Sequence, residues 1–381
     1  MVPNHYGAVP TKEYGQRVGK VGRHPVSRIS MPDYTVIAST TGGKNACYLE
    51  EYERSEYMGD FNLTPQQPAN GITVLELFCG GGLGAIGFTA AGYNIVKALD
   101  FDKNAVKAYR HNFGDHVEQA DINAVNIDDL PNTDVIFGGP PCQDFSVAGK
   151  GAGADGERGK LVWRYLEIIE RKQPKAFVFE NVKGLITKRH RPTFDALIEK
   201  FNEIGYEISW QVINAWDYGV AQKRERVFIV GIRKDLGFTF EFPKPLEGDY
   251  QTRVLRDVIG DLPEPTAFPN HAGTKTKFRD GKTQGDKVYP LESPSPTIRA
   301  EHHGNIEGFD TSEKTNGSEF GLRRFTVREC MRIQSLPDSY VIPDGISMTA
   351  QYRIVGNGIA SRVAWYIGRA LADQIRLNSK A

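Results

Sequence analysis

Thr73-Val74-Leu75-Glu76-Leu77-Phe78-Cys79-Gly80-Gly81-Gly82-Leu83-Gly84-Ala85-Ile86-Gly87-Phe88 reads as a strand, a glycine turn and the opening of a helix. Downstream, Asn94 to Leu99 forms a second strand ending at Asp100 and Asp102, and Asp102 suits the N-cap of a helix through Tyr109. A third short segment leads into Ala120-Asp121-Ile122, and Thr133 to Phe137 is a short apolar strand. Lys175 to Glu180 is a further strand, and Tyr206 to Asn214 with Arg226 to Ile232 reads as a closing β pair. Strands alternating with helices predict an α/β, doubly wound, Rossmann-like sheet with helices on both faces.

Around Asp235 the character changes. The chain to about Phe320 is rich in Pro, Gly, Lys and Thr, which suggests a smaller, loop-rich domain. Arg328 to Gln334 reads as a short helix, and Asn357 to Ile375 as a terminal helix packing back onto the sheet. The expected boundaries are an N-terminal extension over 1–70, a sheet domain over 71–234, the loop-rich domain over 235–345, and a returning C-terminal segment over 346–381. The extension carries Lys12, Arg17, Lys20, Arg23 and Arg28. It reads as a partly ordered arm without chemistry, or as an arm touching nucleic-acid phosphates.

Lys and Arg number 47 and Asp and Glu 47, so net charge selects no partner and any nucleic-acid surface must be local. The 4 cysteines form no CxxC pair, which argues against a disulfide framework or a zinc site; no metal is expected. No apolar run approaches a membrane span and no signal-peptide pattern is seen, so a cytoplasmic location off the membrane is expected.

Gly82-Leu83-Gly84-Ala85-Ile86-Gly87 satisfies G-x-G-x-x-G, with Asp100 closing the next strand. That pattern fits a dinucleotide, whose pyrophosphate meets a helix N-terminus and whose ribose meets the acid. It fits equally any adenosine-bearing ligand, including a methyl donor of the S-adenosylmethionine type, with Asp121 accepting from the adenine amino group. The Thr133 strand ends in Gly138-Gly139-Pro140-Pro141, which delivers Cys142 at a strand tip, the rim where α/β sheets bind ligands. Cys142 is either a buried free thiol beside a tight turn or a nucleophile held in a fixed place.

Cys142, Glu180, Gln222-Lys223-Arg224-Glu225-Arg226 and Gly356-Asn357-Gly358 fall where strands end or loops face one rim. Together with Gly139-Pro140-Pro141-Cys142-Gln143, Phe179-Glu180-Asn181-Val182 and Arg324 to Gln334, in this order, the chain resembles the DNA (cytosine-5) methyltransferase family. The resemblance runs from Thr73 to Leu371. It implies an S-adenosylmethionine-dependent methyltransferase domain with a smaller loop-rich target-recognition domain. It also implies methyl transfer to C5 of a cytosine flipped out of a specific double-stranded DNA sequence. By resemblance, Cys142 is the nucleophile, Glu180 holds or protonates N3, and Arg226 with Arg224 contacts O2 and neighbouring groups.

The resemblance places S-adenosylmethionine (leaving as S-adenosylhomocysteine) among Phe78, Gly80, Gly82, Asp100, Phe101, Asp121, Ile122, Pro141, Leu161 and Asn357. It gives Gln143, Ser146, Lys150, Thr297 and Ile298 to DNA, implies a monomer, and allows a cognate restriction endonuclease as partner. Lys188-Arg189-His190-Arg191 is either a phosphate contact or a solvated helix start. The chain departs from the family pattern at Leu83, usually Gly; at Asp100, usually Glu; at Val220-Ala221-Gln222, which lacks a proline; and at Gly358-Ile359, usually Ser or Ala with Val. Rival readings are an NAD-dependent dehydrogenase, a tRNA methyltransferase of the same family, and a catalytically idle DNA-binding subunit. The tRNA branch carries a Cys-Phe-Thr tripeptide that this chain lacks.

Overall fold

The computed structural model describes residues 60–141, 157–263, 265, 268–272, 289–300, 308–310 and 322–379. Seven strands form one sheet: β1 (Thr73–Leu77), β2 (Asn94–Asp100), β3 (Val117–Gln119), β4 (Val135–Gly138), β5 (Ala176–Val182), β6 (Tyr206–Asn214) and β7 (Glu225–Arg233). Their order is β3-β2-β1-β4-β5-β7-β6. The first five run parallel, and β7 lies antiparallel between β5 and β6, so the expected closing pair is present. A short ribbon, β8 (Gly308–Asp310) with β9 (Leu322–Arg324), stands apart from the sheet.

Both faces of the sheet are covered, which is why its strands are apolar at successive positions. Val74, Val135, Val178 and Val230 point to one face, against α1 (Leu83–Ala90) and the terminal helix Ser361–Asn378. Their neighbours Leu75, Ile136, Phe177 and Ile229 point to the other. There they meet Tyr165 and Ile169 of the helix Glu157–Lys172, and Leu197 and Phe201 of the helix Arg191–Glu203. Gly87 lets α1 lie directly on the terminal helix, because a Cβ there would collide with the Ser361 carbonyl and the Trp365 amide.

In chain order, α2 is Lys103–Phe113, α3 Glu157–Lys172, α4 Arg191–Glu203, α5 Leu255–Ile259, α6 Val327–Ile333, α7 Met348–Asn357 and α8 Ser361–Asn378. Asp102 caps α2, its carboxylate accepting from the Asn104 and Ala105 amides, as its position predicts. The helix expected from Asn357 to Ile375 is present as α8 and begins later than expected. Asn357 ends α7, and the extended Gly358 and Ala360 turn the chain before α8.

A third core joins Val258 and Ile259 of α5, Leu291, Ile298, Met331 of α6, and Tyr352 and Val355 of α7. Leu83, Ala105 and Ala108 of α1 and α2 belong to the same core. Residues 50–381 make one compact unit, so a target-recognition domain over 235–345 stays a proposal. Of the extension expected over 1–70, residues 1–59 lie outside the described residues.

Candidate active site

The rim begins with the glycine turn. Phe78, Gly80 and Gly82 all have positive φ (57°, 55° and 86°), so alternate residues double the backbone back from β1 into α1. The turn is pinned from behind: the Tyr340 hydroxyl donates to the Gly81 carbonyl at 2.7 Å, and a Cβ on Gly81 would strike Ile354. In front it is open, since a Cβ on Gly80 would meet nothing within 4 Å. The Gly80 amide donates to Asp100 Oδ2 at 2.8 Å and the Asp102 amide to Asp100 Oδ1 at 2.8 Å. Burial pushes the Asp100 carboxyl above its usual range, against the pull of these two amides.

Beside Asp100, Phe101 is 73% exposed, an unusual place for so large an apolar ring. Asp121 is exposed and accepts from the Asn123 amide at 3.0 Å, while Ile122 beside it is buried. Leu161 on α3 is half-buried, Pro141 is exposed, and Asn357 is exposed at the end of α7. An open glycine face, a carboxylate at a strand tip and an uncovered aromatic ring suit an adenosine-bearing group better than a purely apolar ligand.

Glu180, near the end of β5, is the second part of the rim. Arg226 sits opposite Val182 on β7, so Arg226 and Glu180 are diagonal neighbours on one face of the pair. The Arg226 Nε–Glu180 Oε1 distance is 3.1 Å, with the side chains 17% and 14% exposed. Burial pushes the Glu180 carboxyl up, and Arg226 and then Arg224 pull it back. A Cβ on Gly139 would lie 2.9 Å from Glu180 Oε2, and Asn181 Nδ2 donates to the Pro140 carbonyl at 2.9 Å. The Pro-Pro turn is therefore tied to the strand that carries Glu180. Cys142, Gln143, Ser146 and Lys150 lie outside the described residues, which stop at Pro141.

The two arginines, expected to act together, are separated. Arg224 is 2% exposed, and its guanidinium donates to the carbonyls of Ile298 (2.8 Å), Gly356 (2.9 Å) and Gly358 (2.8 Å). Its two terminal nitrogens bond backbone carbonyls and its Nε has no partner among the described residues, so the expected pair of base contacts divides: Arg224 holds backbone, and Arg226 pairs with Glu180. Glu225 between them pairs with Lys183 at 2.8 Å. The expectation for Ile298 also needs correcting: its side chain is 3% exposed and belongs to the third core, not to a nucleotide surface. Thr297 is half-buried and donates its hydroxyl to the Lys223 carbonyl at 2.8 Å.

Lys188 and Arg189 are exposed just ahead of α4, while Arg191 pairs with Asp195 at 2.8 Å. Gln222, Asn181 and Gln334 stand in the stretches that carry the resemblance, but the sequence assigns no role to them or to Tyr340. The contact between Gln222 and Gln334, far apart in the chain, has no signal in local pattern.

The profile of the C-5 cytosine-specific DNA methylase family matches residues 72–373. The type II methyltransferase M.MthTI of Methanothermobacter thermautotrophicus is 36% identical over 332 residues, covering 80% of this chain and 98% of that protein. M.FnuDI of Fusobacterium nucleatum is 34% identical over 80% of this chain and 95% of its own length. The S. pombe Dnmt2 methyltransferase structure superposes with a TM-score of 0.62 at 18% identity, covering 80% of this chain and 98% of that one. With the glycine turn, the Pro-Pro turn and the Glu180–Arg226 pair on one rim, the chain belongs to the C-5 cytosine-specific DNA methylase family.

Proposed function

We propose that this protein transfers a methyl group from S-adenosylmethionine to C5 of a cytosine flipped out of a specific duplex DNA sequence, through a covalent Cys142–C6 intermediate. The carrying observation is the Glu180–Arg226 pair beside the Pro-Pro turn. Cytosine C5 is a weak nucleophile. A thiolate adding at C6 makes the ring an enamine, and the negative charge passes toward N3 and O2. Glu180, its pKa raised by burial, is suited to donate a proton or hydrogen bond at N3. Arg226 holds Glu180 in place and offers its remaining donors to O2. After methylation a base takes the C5 proton, the C6–S bond breaks to expel the Cys142 thiolate, and N3 gives its proton back to Glu180, which restores the aromatic ring and the enzyme.

S-adenosylmethionine supplies an electrophilic methyl when bound. The open face of Gly80, the Asp100 carboxylate for a ribose diol, exposed Phe101 for an adenine, and Asp121 with Asn357 would hold it. The atom to be methylated is buried in a duplex, so the base must leave the stack. The family match supports DNA as substrate, and the type II names of the relatives support a restriction-modification setting, in which a restriction endonuclease is the proposed partner. Gln143, Ser146 and Lys150 are assigned to the DNA, with the exposed Lys188 and Arg189 as phosphate contacts.

The test is a set of duplexes with 5-fluorocytosine at randomised sites, incubated with S-adenosylmethionine. Fluorine at C5 blocks the elimination, so the protein should become trapped in a denaturation-resistant adduct, and Cys142→Ser should form none. No adduct on duplex DNA, or an adduct only on tRNA, would overturn the reading.

A further inference from the structure

Three buried side chains join the segments proposed for the cofactor side and the base side. Gln222 and Gln334 are 0% exposed and Arg224 is 2% exposed. Gln222 accepts from the Ile298 amide at 2.9 Å and donates to Gln334 Oε1 at 3.0 Å. Gln334 in turn donates to the carbonyls of Val355 (2.8 Å) and Gly358 (3.2 Å). Arg224 spans the same gap in one step, from the Ile298 carbonyl to those of Gly356 and Gly358. Gly356 lies so close to the Arg299–Ala300 backbone that a Cβ on it would collide there. Backbone bonds from Lys223 to the Ser295 carbonyl and from Ser295 to the Ala221 carbonyl, both 2.8 Å, complete the join.

The three segments so joined are 295–298 with Thr297, 355–358 with Asn357, and the start of β7 with Arg226. We propose that Gln222, Arg224 and Gln334 form a positioning unit that fixes the base side of the site at one distance from the cofactor side; this rests on the function proposed above. Apolar packing alone would hold these segments together but would let them slide. Hydrogen bonds to particular carbonyls fix the register, and each lost partner leaves a buried polar atom unmatched. Transfer between two bound groups depends steeply on their separation, so a displacement of about 1 Å costs roughly 10²-fold in rate.

The experiment uses the full chain, S-adenosylmethionine and bulk unmethylated duplex DNA. It measures the single-turnover transfer rate at saturation, the affinities for S-adenosylhomocysteine and DNA, and the melting temperature. Gln222→Met and Gln334→Met are each expected to slow transfer about 30- to 100-fold, with both affinities within about threefold of the parent. Because the two glutamines act through one another, the double variant should be no slower than the worse single. Should the methionine variants not fold, Arg224→Lys keeps the charge but cannot reach three carbonyls, and carries the same expectation. Unchanged rates in folded variants, or affinities lost in step with melting temperature while the saturated rate holds, would overturn the inference. A parent protein that transfers no methyl to DNA would overturn the proposed function, and this inference with it.

Discussion

The proposed cofactor side and the proposed base side of the rim are built by different means. Residues 78–82 and 100–102 work mainly through backbone: positive φ at Phe78, Gly80 and Gly82, and amides closing on Asp100. Residues 180–182, 222–226 and 295–298 work through buried charged and amide side chains that meet each other or carbonyls across long stretches of chain. A backbone site tolerates changes in its side chains as long as the turn survives. A side-chain site fails when one partner goes, because the other is left buried and unmatched.

The largest expected effect tests that contrast directly. Glu180→Gln keeps the shape beside Arg226 but removes the acid, and should slow transfer about 10³-fold at saturation while S-adenosylhomocysteine affinity changes less than about twofold. Single-turnover methyl transfer beside a cofactor titration measures both. A comparable loss of cofactor affinity would mean that the two sides are not separate in function.

Next comes a buried acid under the cofactor side. Glu76 on β1 is 1% exposed, accepts from the Tyr109 hydroxyl at 3.1 Å, and is pushed from 4.5 up to about 8, mainly by burial, with Asp100 adding to the rise. Tyr109 also contacts His116 at 3.3 Å, and the buried Cys79 thiol lies in the same group. Between pH 4.5 and about 8 the unfolded chain has lost this proton while the folded chain keeps it. Stability contributed by Glu76 therefore falls as pH rises through that window and is level above it. Glu76→Gln should remove this slope, a gain on the order of a few kcal/mol at pH 8 relative to pH 5. Urea unfolding at the two pH values checks it, and an unaltered slope would mean that Glu76 is ionised in the fold.

These two regions were also unequally legible. The glycine turn and the succession of strands follow from local pattern, since positive φ favours glycine at a tight turn and doubly covered strands are apolar throughout. The Glu180–Arg226 pair was within reach because both lie in contiguous motifs. The separate place of Arg224 is hidden in the sequence because its chemistry matches that of Arg226, and only the fold shows carbonyls of 298, 356 and 358 converging on it. The burial of Ile298 and the break between α7 and α8 depend on the third core, whose members come from distant parts of the chain. No local period encodes such contacts.

Two departures from the family pattern meet where the cofactor turn touches that core. A Cβ on Gly358 would run into Leu83, the first residue of α1, which is 1% exposed. A larger residue at 83 is thus matched by the smallest residue at 358. Gly358→Ala alone should cost about 1–3 kcal/mol through overpacking. Adding Leu83→Ala should recover much of that, giving a positive coupling in a double-mutant cycle of unfolding free energies. Additive losses would separate the two departures and make the backbone side independent of its support.

The smallest expected effect concerns Glu225, which stands between the two arginines. Its partner is Lys183, with the two side chains 48% and 50% exposed, so the pair lies in water rather than in the site. An exposed pair of this kind contributes about 0–1 kcal/mol and is screened by salt. Glu225→Gln should therefore shift unfolding by less than about 1 kcal/mol and leave transfer within about twofold. Neither change should grow at low ionic strength beyond what one lost surface charge accounts for. A loss of transfer comparable to that of Glu180→Gln would place Glu225 in the electrostatic balance around Arg226. The base side would then extend past its buried pairs into the solvated strand end, and burial would no longer be what separates Arg224, Glu225 and Arg226 in role.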